Sequence, residues 1–398
     1  MPKPRVAITL GDIAGIGPEV VYGAVNSLKV QRVCRPVIFG DKTAIKAMQG
    51  CGDAEMRSNG KAGKNSSFAS SPPRLLASFV ITSDVGKVAL GKPSKKSGIA
   101  AYNAVKAATQ FCLDGKADAL VTAPVSKESL KLAGVKYPGH TELLAALTKS
   151  KKFAMMMACG GINAVMVTRH IPLSKVSANI KTKDIVETVK LAVSFLKQQC
   201  GEWRVESEDN CDAEMQGCRD AGKQLLPSLR GSTRLRHSSV NSAAEAIQGS
   251  CRIFTPHSSL PTLPLKVVLC SLNPHAGDNG ILGCEEKEII FPAAKKLKSL
   301  GINAAVMPAD SAWLKTKNGE FDLICGMYHD QIMIPLKCID AQKIVNVTAG
   351  LPFVRTSPGH GTAFDIAGKG LAPRGLADPA AMTEAILFAA KTANSRSE

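Results

Sequence analysis

Val6-Ala-Ile-Thr-Leu10 is followed by the glycine-rich turn Gly11-Asp12-Ile13-Ala14-Gly15-Ile16-Gly17 and then by Pro18-Glu-Val-Val-Tyr-Gly-Ala-Val25. The first run reads as a short apolar strand. The last reads as a helix, with Pro18 in the first turn, where its missing N–H costs no hydrogen bond. A loop that leaves a strand and opens a helix puts backbone amides and the helix dipole where an anion is favoured. The spacing is not G-x-G-x-x-G, so a tight structural turn fits the same residues equally well.

The same rhythm repeats downstream. Pro36-Val-Ile-Phe39 and Ala119-Leu-Val-Thr122 read as strands, and Gly98-Ile-Ala-Ala-Tyr-Asn-Ala-Val-Lys-Ala-Ala-Thr-Gln-Phe111 between them reads as a helix. Strands alternating with helices predict an α/β sheet covered by helices on both faces. Residues 50–73, rich in Gly, Ser, Asn and Lys, and residues 200–264, polar and Ser-rich, break the rhythm and read as loop-like insertions.

With 398 residues, 45% hydrophobic and 21% charged, the chain suits a folded protein of two or more domains. No apolar run approaches the roughly 20 residues of a membrane span, and Met1-Pro-Lys-Pro-Arg5 leads into a strand rather than a signal-peptide core. A cytoplasmic protein without membrane association is expected. Twelve cysteines are spread without a C-x-x-C pair, several of them in apolar strands, where a reduced thiol behaves as a small hydrophobe. Cys200, Cys211, Cys218 and Cys251 share the second insertion with His237 and His257, at spacings that fit no standard zinc pattern. A net charge of +17 raises nucleic-acid binding. The basic residues are dispersed, however, aromatic residues make up only 5%, and no nucleic-acid module appears. A basic enzyme acting on a phosphorylated small molecule accounts for the charge as well.

Five of the seven histidines lie in short stretches dense in Gly, Thr, Asn, Asp and Arg: Gly139-His140-Thr141, Thr168-Arg169-His170, Asn273-Pro274-His275, Tyr328-His329-Asp330 and Gly359-His360-Gly361. Taken singly, each is best read as a satisfied core or surface residue. Their clustering points instead to an enzyme site assembled from loops. His170, His275 and His329 each follow an apolar run of strand character, Ala164–Thr168, Leu265–Leu272 and Phe321–Met327. Three imidazoles at strand ends can converge on one cation.

Gly11-Asp12-x-Ala14-Gly15-Ile16-Gly17-Pro18-Glu19, Val121-Thr-Ala-Pro-Val-Ser-Lys127, Gly139-His-Thr-Glu142, Arg169-His170-x-Pro172-Leu173, Leu272-Asn-Pro-His-Ala-Gly277, Tyr328-His-Asp-Gln331 and Arg355-Thr-Ser-x-x-His-Gly-Thr-Ala363 occur in this order. As an ordered set they resemble the 4-hydroxythreonine-4-phosphate dehydrogenase family of pyridoxal 5'-phosphate biosynthesis. The resemblance implies oxidation of 4-phosphooxy-L-threonine at C3 by NAD or NADP, then decarboxylation to 3-amino-2-oxopropyl phosphate. It implies a divalent metal such as zinc, cobalt or magnesium on His170, His275 and His329. Substrate contacts are implied at His140, Thr141, Lys337, Asn346 and Arg355, with Asp330 orienting an imidazole or acting as a base. His360, Gly361, Thr362 and Ala363 are similar to the nucleotide loop of isopropylmalate and isocitrate dehydrogenases. The implied fold has two α/β/α domains with a cleft between them, residues 1–130 with 300–398 forming one and 131–299 the other. A homodimer with its active site at the interface, and ligands drawn from both chains, is also implied.

The sequence departs from the family pattern at Ile13, where Pro is common, Asp278 for Glu, Ile332 for Gly and Gly359 for Asp. Ile332 suggests strain in the loop after His329, because Gly tolerates positive φ and a β-branched residue does not. A sister enzyme acting on 4-phospho-D-threonate or 4-phospho-D-erythronate would keep the same motifs. A non-catalytic basic binding protein is the alternative from another class.

Overall fold

The computed structural model describes residues 2–48, 77–137, 139–199, 265–372 and 375–394. Both expected insertions, with Cys200, Cys211, Cys218, Cys251, His237 and His257, lie outside the described residues.

The described strands are β1 Arg5–Thr9, β2 Arg35–Asp41, β3 Ser78–Ser83, β4 Ala119–Thr122, β5 Ala154–Cys159, β6 Ile162–Met166, β7 Lys266–Cys270, β8 Asn303–Met307, β9 Leu323–Gly326, β10 Val345–Ala349 and β11 Val354–Pro358. They form one sheet in the order β3-β2-β1-β4-β11-β10-β5-β6-β9-β7-β8. From β3 to β11 neighbours run parallel, and so do those from β6 to β8. β10 and β5 join the two blocks through antiparallel pairings. β8 and β9 pair with β7 and β6, so the expected domain boundary at residue 300 falls inside the second block.

Helices cover both faces, as the alternation predicts. Val6 and Ile8 face a core shared with Ile386 and Ala389 of the helix Ala380–Asn394, while Ala7 faces the opposite core with Ala104 and Ala108 of the helix Lys95–Leu113. In the second block Val267 and Leu269 meet Ile185 and Leu297, and Val268 meets Trp313 and Leu336. Strands sealed on both sides must be apolar at successive positions, which is why β4 and β9 read as unbroken apolar runs.

Two of the departures from the family pattern find an explanation in packing. Ile332 lies in the first turn of the helix His329–Asp340, fully buried against Gly326, and is not among the described residues with positive φ. The strain expected there is absent, because a helical backbone suits an isoleucine and the side chain fills a core. A Cβ at Gly359 would meet Ile344 Cβ and Cγ2 at 2.9 Å. An aspartate there would require buried Ile344 to move.

Candidate active site

Because β6, β7 and β9 run parallel, their C-terminal ends emerge along one edge of the sheet, and each is followed by one of the three expected metal ligands. The ring centroids of His170 and His329 are 5.7 Å apart, inclined at 42°. Thr168 ties their loops together, since its N–H and its hydroxyl both donate to Met327 O, at 3.1 and 2.7 Å. His329 is the first residue of its helix, and its Nδ1 lies 2.7 Å from Asp330 Oδ1. That contact leaves Nε2 as the nitrogen open to a ligand. Gln331 braces the loop: its Oε1 accepts from Met327 N and its Nε2 donates to Ser271 O, both at 2.8 Å. Desolvation lowers the pKa of His170, with Lys127, His329 and Arg169 adding positive charge and Glu142 opposing them.

His275 stands apart. It opens six consecutive residues, His275 to Gly280, with positive φ, a conformation only Gly adopts without cost. The turn is held from behind by two glutamates. Buried Glu286 accepts from Leu272 N and Asn273 N, both at 2.8 Å, and from Asn273 Nδ2 at 3.0 Å. Glu285 accepts from Asn273 Nδ2 at 2.8 Å and from Ser177 Oγ at 2.5 Å. His275 itself is exposed, and among the described residues no three His, Cys, Asp or Glu side chains gather as a metal would need. One chain therefore brings together two of the three imidazoles.

Of the expected substrate residues, His140 and Arg355 come together, with Asn346 on the strand beside Arg355. Arg355 on β11 is 1% exposed; its Nη1 donates to Thr348 Oγ1 at 2.9 Å and its Nη2 to Thr122 Oγ1 at 2.6 Å. Its Nε, with His140 Nε2 and Asn346 Oδ1, is sheltered from solvent and without a hydrogen-bond partner. Burial, then the charge of Arg355, pushes the His140 pKa down to about 3, so this imidazole is neutral. Thr141 is buried next to it. Desolvation pushes the Arg355 pKa down to about 10, and Glu142 opposes that shift as it opposes the one at His170, which puts the pocket and the histidine pair in one electrostatic neighbourhood. Lys337 lies exposed in the last turn of the helix that His329 begins, without a described contact to Arg355.

The expected cofactor segment packs on the turn that follows β1. Ile16 N donates to Thr362 O at 3.0 Å, and a Cβ on Gly15 would meet that oxygen at 2.6 Å. Ala363 adopts a left-handed conformation, with φ 42°. His360 Nδ1 lies 3.0 Å from Gly361 O, while its Nε2 is buried and unpartnered. Glu19 receives Gly368 N and Gly370 N at 3.0 and 2.8 Å, closing the segment against the first helix.

The model of the family described as pyridoxal phosphate biosynthetic protein PdxA matches residues 32–205 and 242–389. This chain belongs to the PdxA family. It is 32% identical over 392 residues to a 4-hydroxythreonine-4-phosphate dehydrogenase of Desulforapulum autotrophicum, covering 98% of this chain and 95% of the relative. It is also 32% identical over 379 residues to a D-threonate 4-phosphate dehydrogenase of Salmonella typhimurium, covering 94% and 95%. Among solved structures, a 4-hydroxythreonine-4-phosphate dehydrogenase from Klebsiella pneumoniae superposes with a TM-score of 0.69 at 26% identity, over 98% of this chain and 100% of that one. One from Burkholderia phymatum gives 0.66 at 29%, over 98% and 99%.

The PdxA-family chain is thus a dehydrogenase of α/β fold, and among its described residues no helix is long and apolar enough to cross a membrane. Glu142, Lys127, Glu286 and Gln331 have places in this PdxA-family site that motif reading left unassigned. Glu142, Lys127 and Gln331 lay inside the quoted motifs. Glu286 had no local signal, because only the fold carries it back to Leu272.

Proposed function

We propose that this PdxA-family dehydrogenase oxidises the C3 hydroxyl of 4-phosphooxy-L-threonine with NAD or NADP, and that carbon dioxide is then lost to give 3-amino-2-oxopropyl phosphate. The observation that carries the proposal is the trio of buried, unpartnered polar atoms, Arg355 Nε, His140 Nε2 and Asn346 Oδ1, linked through Glu142 to the His170–His329 pair. Buried polar groups are normally satisfied, and those left open at one place mark where a polar ligand completes them. A guanidinium answers phosphate or carboxylate oxygens, while a neutral imidazole and an amide read hydroxyl or amino groups. His360, Gly361, Thr362 and Ala363 would line the nicotinamide cofactor, beside the turn from Gly11 to Gly17.

His170 and His329 would hold a divalent cation, with His275 supplied from a second copy of the chain in a homodimer. Such a cation would lower the pKa of the substrate hydroxyl and steady the enolate left by decarboxylation. Asp330 orients His329, and Lys337 would reach the substrate across the dimer. Oxidation of 4-phospho-D-threonate is the second reading, favoured by the equal identity to relatives named for either activity.

The deciding experiment is NADH or NADPH formation with 4-phosphooxy-L-threonine, with and without a chelator, beside 4-phospho-D-threonate and a His275→Ala control. Chelator-sensitive turnover of the L-threonine derivative, lost in the variant, is the expected result. Preference for the D-threonate would move the assignment to the sister reaction. No turnover of either would reject both.

A further inference from the structure

Arg355 is among the bulkiest fully buried side chains, and both partners of its guanidinium are neutral. Thr122 is 0% exposed and Thr348 2%, so neither hydroxyl is there to meet solvent. The three residues sit on adjacent strands: β11 lies between β4 and β10, with Arg355 in register with Leu120, and Val347 paired to Thr356. Structural buried arginines are ordinarily matched with carboxylates, because an uncompensated charge in a low-dielectric interior is costly. Here the hydrogen-bonding partners fix the plane of the group without cancelling its charge, which only the field of Glu142 offsets against desolvation, and Nε–H is left open.

We infer that Thr122 and Thr348 are positioning residues of the substrate site, holding the Arg355 guanidinium by uncharged hydroxyls so that its Nε edge and full charge meet an anionic oxygen of the substrate. The inference rests on the assignment of Arg355 to substrate binding made above. Strands rather than loops carry all three residues, which gives the fork the rigidity that a recognition group requires. His140, neutral beside it, adds a hydrogen-bonding nitrogen without a competing charge.

The test is calorimetric binding of inorganic phosphate and of 4-phosphooxy-L-threonine to the full chain, in the wild type, Thr122→Val, Thr348→Val and the two Thr→Ser variants. KM, kcat and melting temperature are measured on the same preparations. Each valine variant is expected to bind both ligands about tenfold more weakly, the cost of one charge-assisted hydrogen bond. KM should rise by the same factor, kcat should change less, and serine should restore binding. Guanidinium NMR signals should show slowed rotation about the Arg355 Cζ–Nη bonds in the wild type. Folded valine variants that bind like the wild type, or serine variants that fail to restore binding, would overturn the positioning role while leaving the substrate assignment intact. If neither ligand binds the wild type, the assignment of Arg355 to substrate falls first. Should the valine variants not fold, freely rotating Nη groups in the wild type would sink the proposal by themselves.

Discussion

The rings of His170 and His329, 159 residues apart in the chain, stand 5.7 Å apart because Thr168 donates twice to the carbonyl of Met327. Two imidazoles so placed, one with its Nδ1 against Asp330, form a pair suited to a shared cation.

Asp330→Asn is therefore expected to weaken Co2+ binding by roughly 10- to 100-fold, since the partner of a ligating imidazole sets its tautomer and orientation. His170→Ala should abolish it. Titration followed by the visible spectrum of Co2+ checks both, and an unchanged affinity for the asparagine variant would remove Asp330 from the site.

Stability should fall on acidification in a way that His140 helps to cause. Its folded pKa is about 3, against an ordinary value of 6.5. Between those values the unfolded chain binds the extra proton and the folded chain does not, so the unfolding free energy decreases as pH drops through that window. The histidine accounts for about 2 kcal/mol of the loss between pH 7 and pH 5. Urea denaturation of the wild type and His140→Gln at both pH values should show the glutamine variant losing less.

Glu286→Ala should destabilise the fold by about 3 kcal/mol, because it strands the N–H groups of Leu272 and Asn273 in a buried place. Glu286→Gln keeps an acceptor and should cost about half as much. Urea midpoints measure both. Equal stability of alanine variant and wild type would mean that the turn carrying His275 is not held by this carboxylate.

Gly15→Ala drives a methyl group toward Thr362 O, at 2.6 Å from an ideal Cβ. One of the two loops must shift, at a cost of about 1–3 kcal/mol. KM for the nicotinamide cofactor is expected to rise several-fold while KM for the phosphorylated substrate stays within twofold. A change in the substrate constant alone would place the cofactor elsewhere.

The alternation of apolar runs and helical segments determined the α/β fold from sequence, since sealed strands and amphipathic helices carry their periods locally. Ala119–Thr122 forms β4 as read, and the strands read near Val6, Pro36, Ala164, Leu265 and Phe321 appear within a residue or two of those places. The histidine-bearing loops were legible for the same reason, as polar stretches following apolar ones. Strands β3, β5, β8, β10 and β11 were not read. β10 holds Asn346 and β11 holds Arg355, and a polar or charged residue breaks the apolar pattern that marks a strand. Only the tertiary structure could show that Arg355 lies between two threonine hydroxyls, one of them 233 residues away. It alone brought Glu286 under the His275 turn and set Ile332 in a core rather than in a strained loop. Periodicity records which face of an element is buried. Which distant side chain waits on that face is decided by how the strands are ordered, and strand order is a property of the whole sheet.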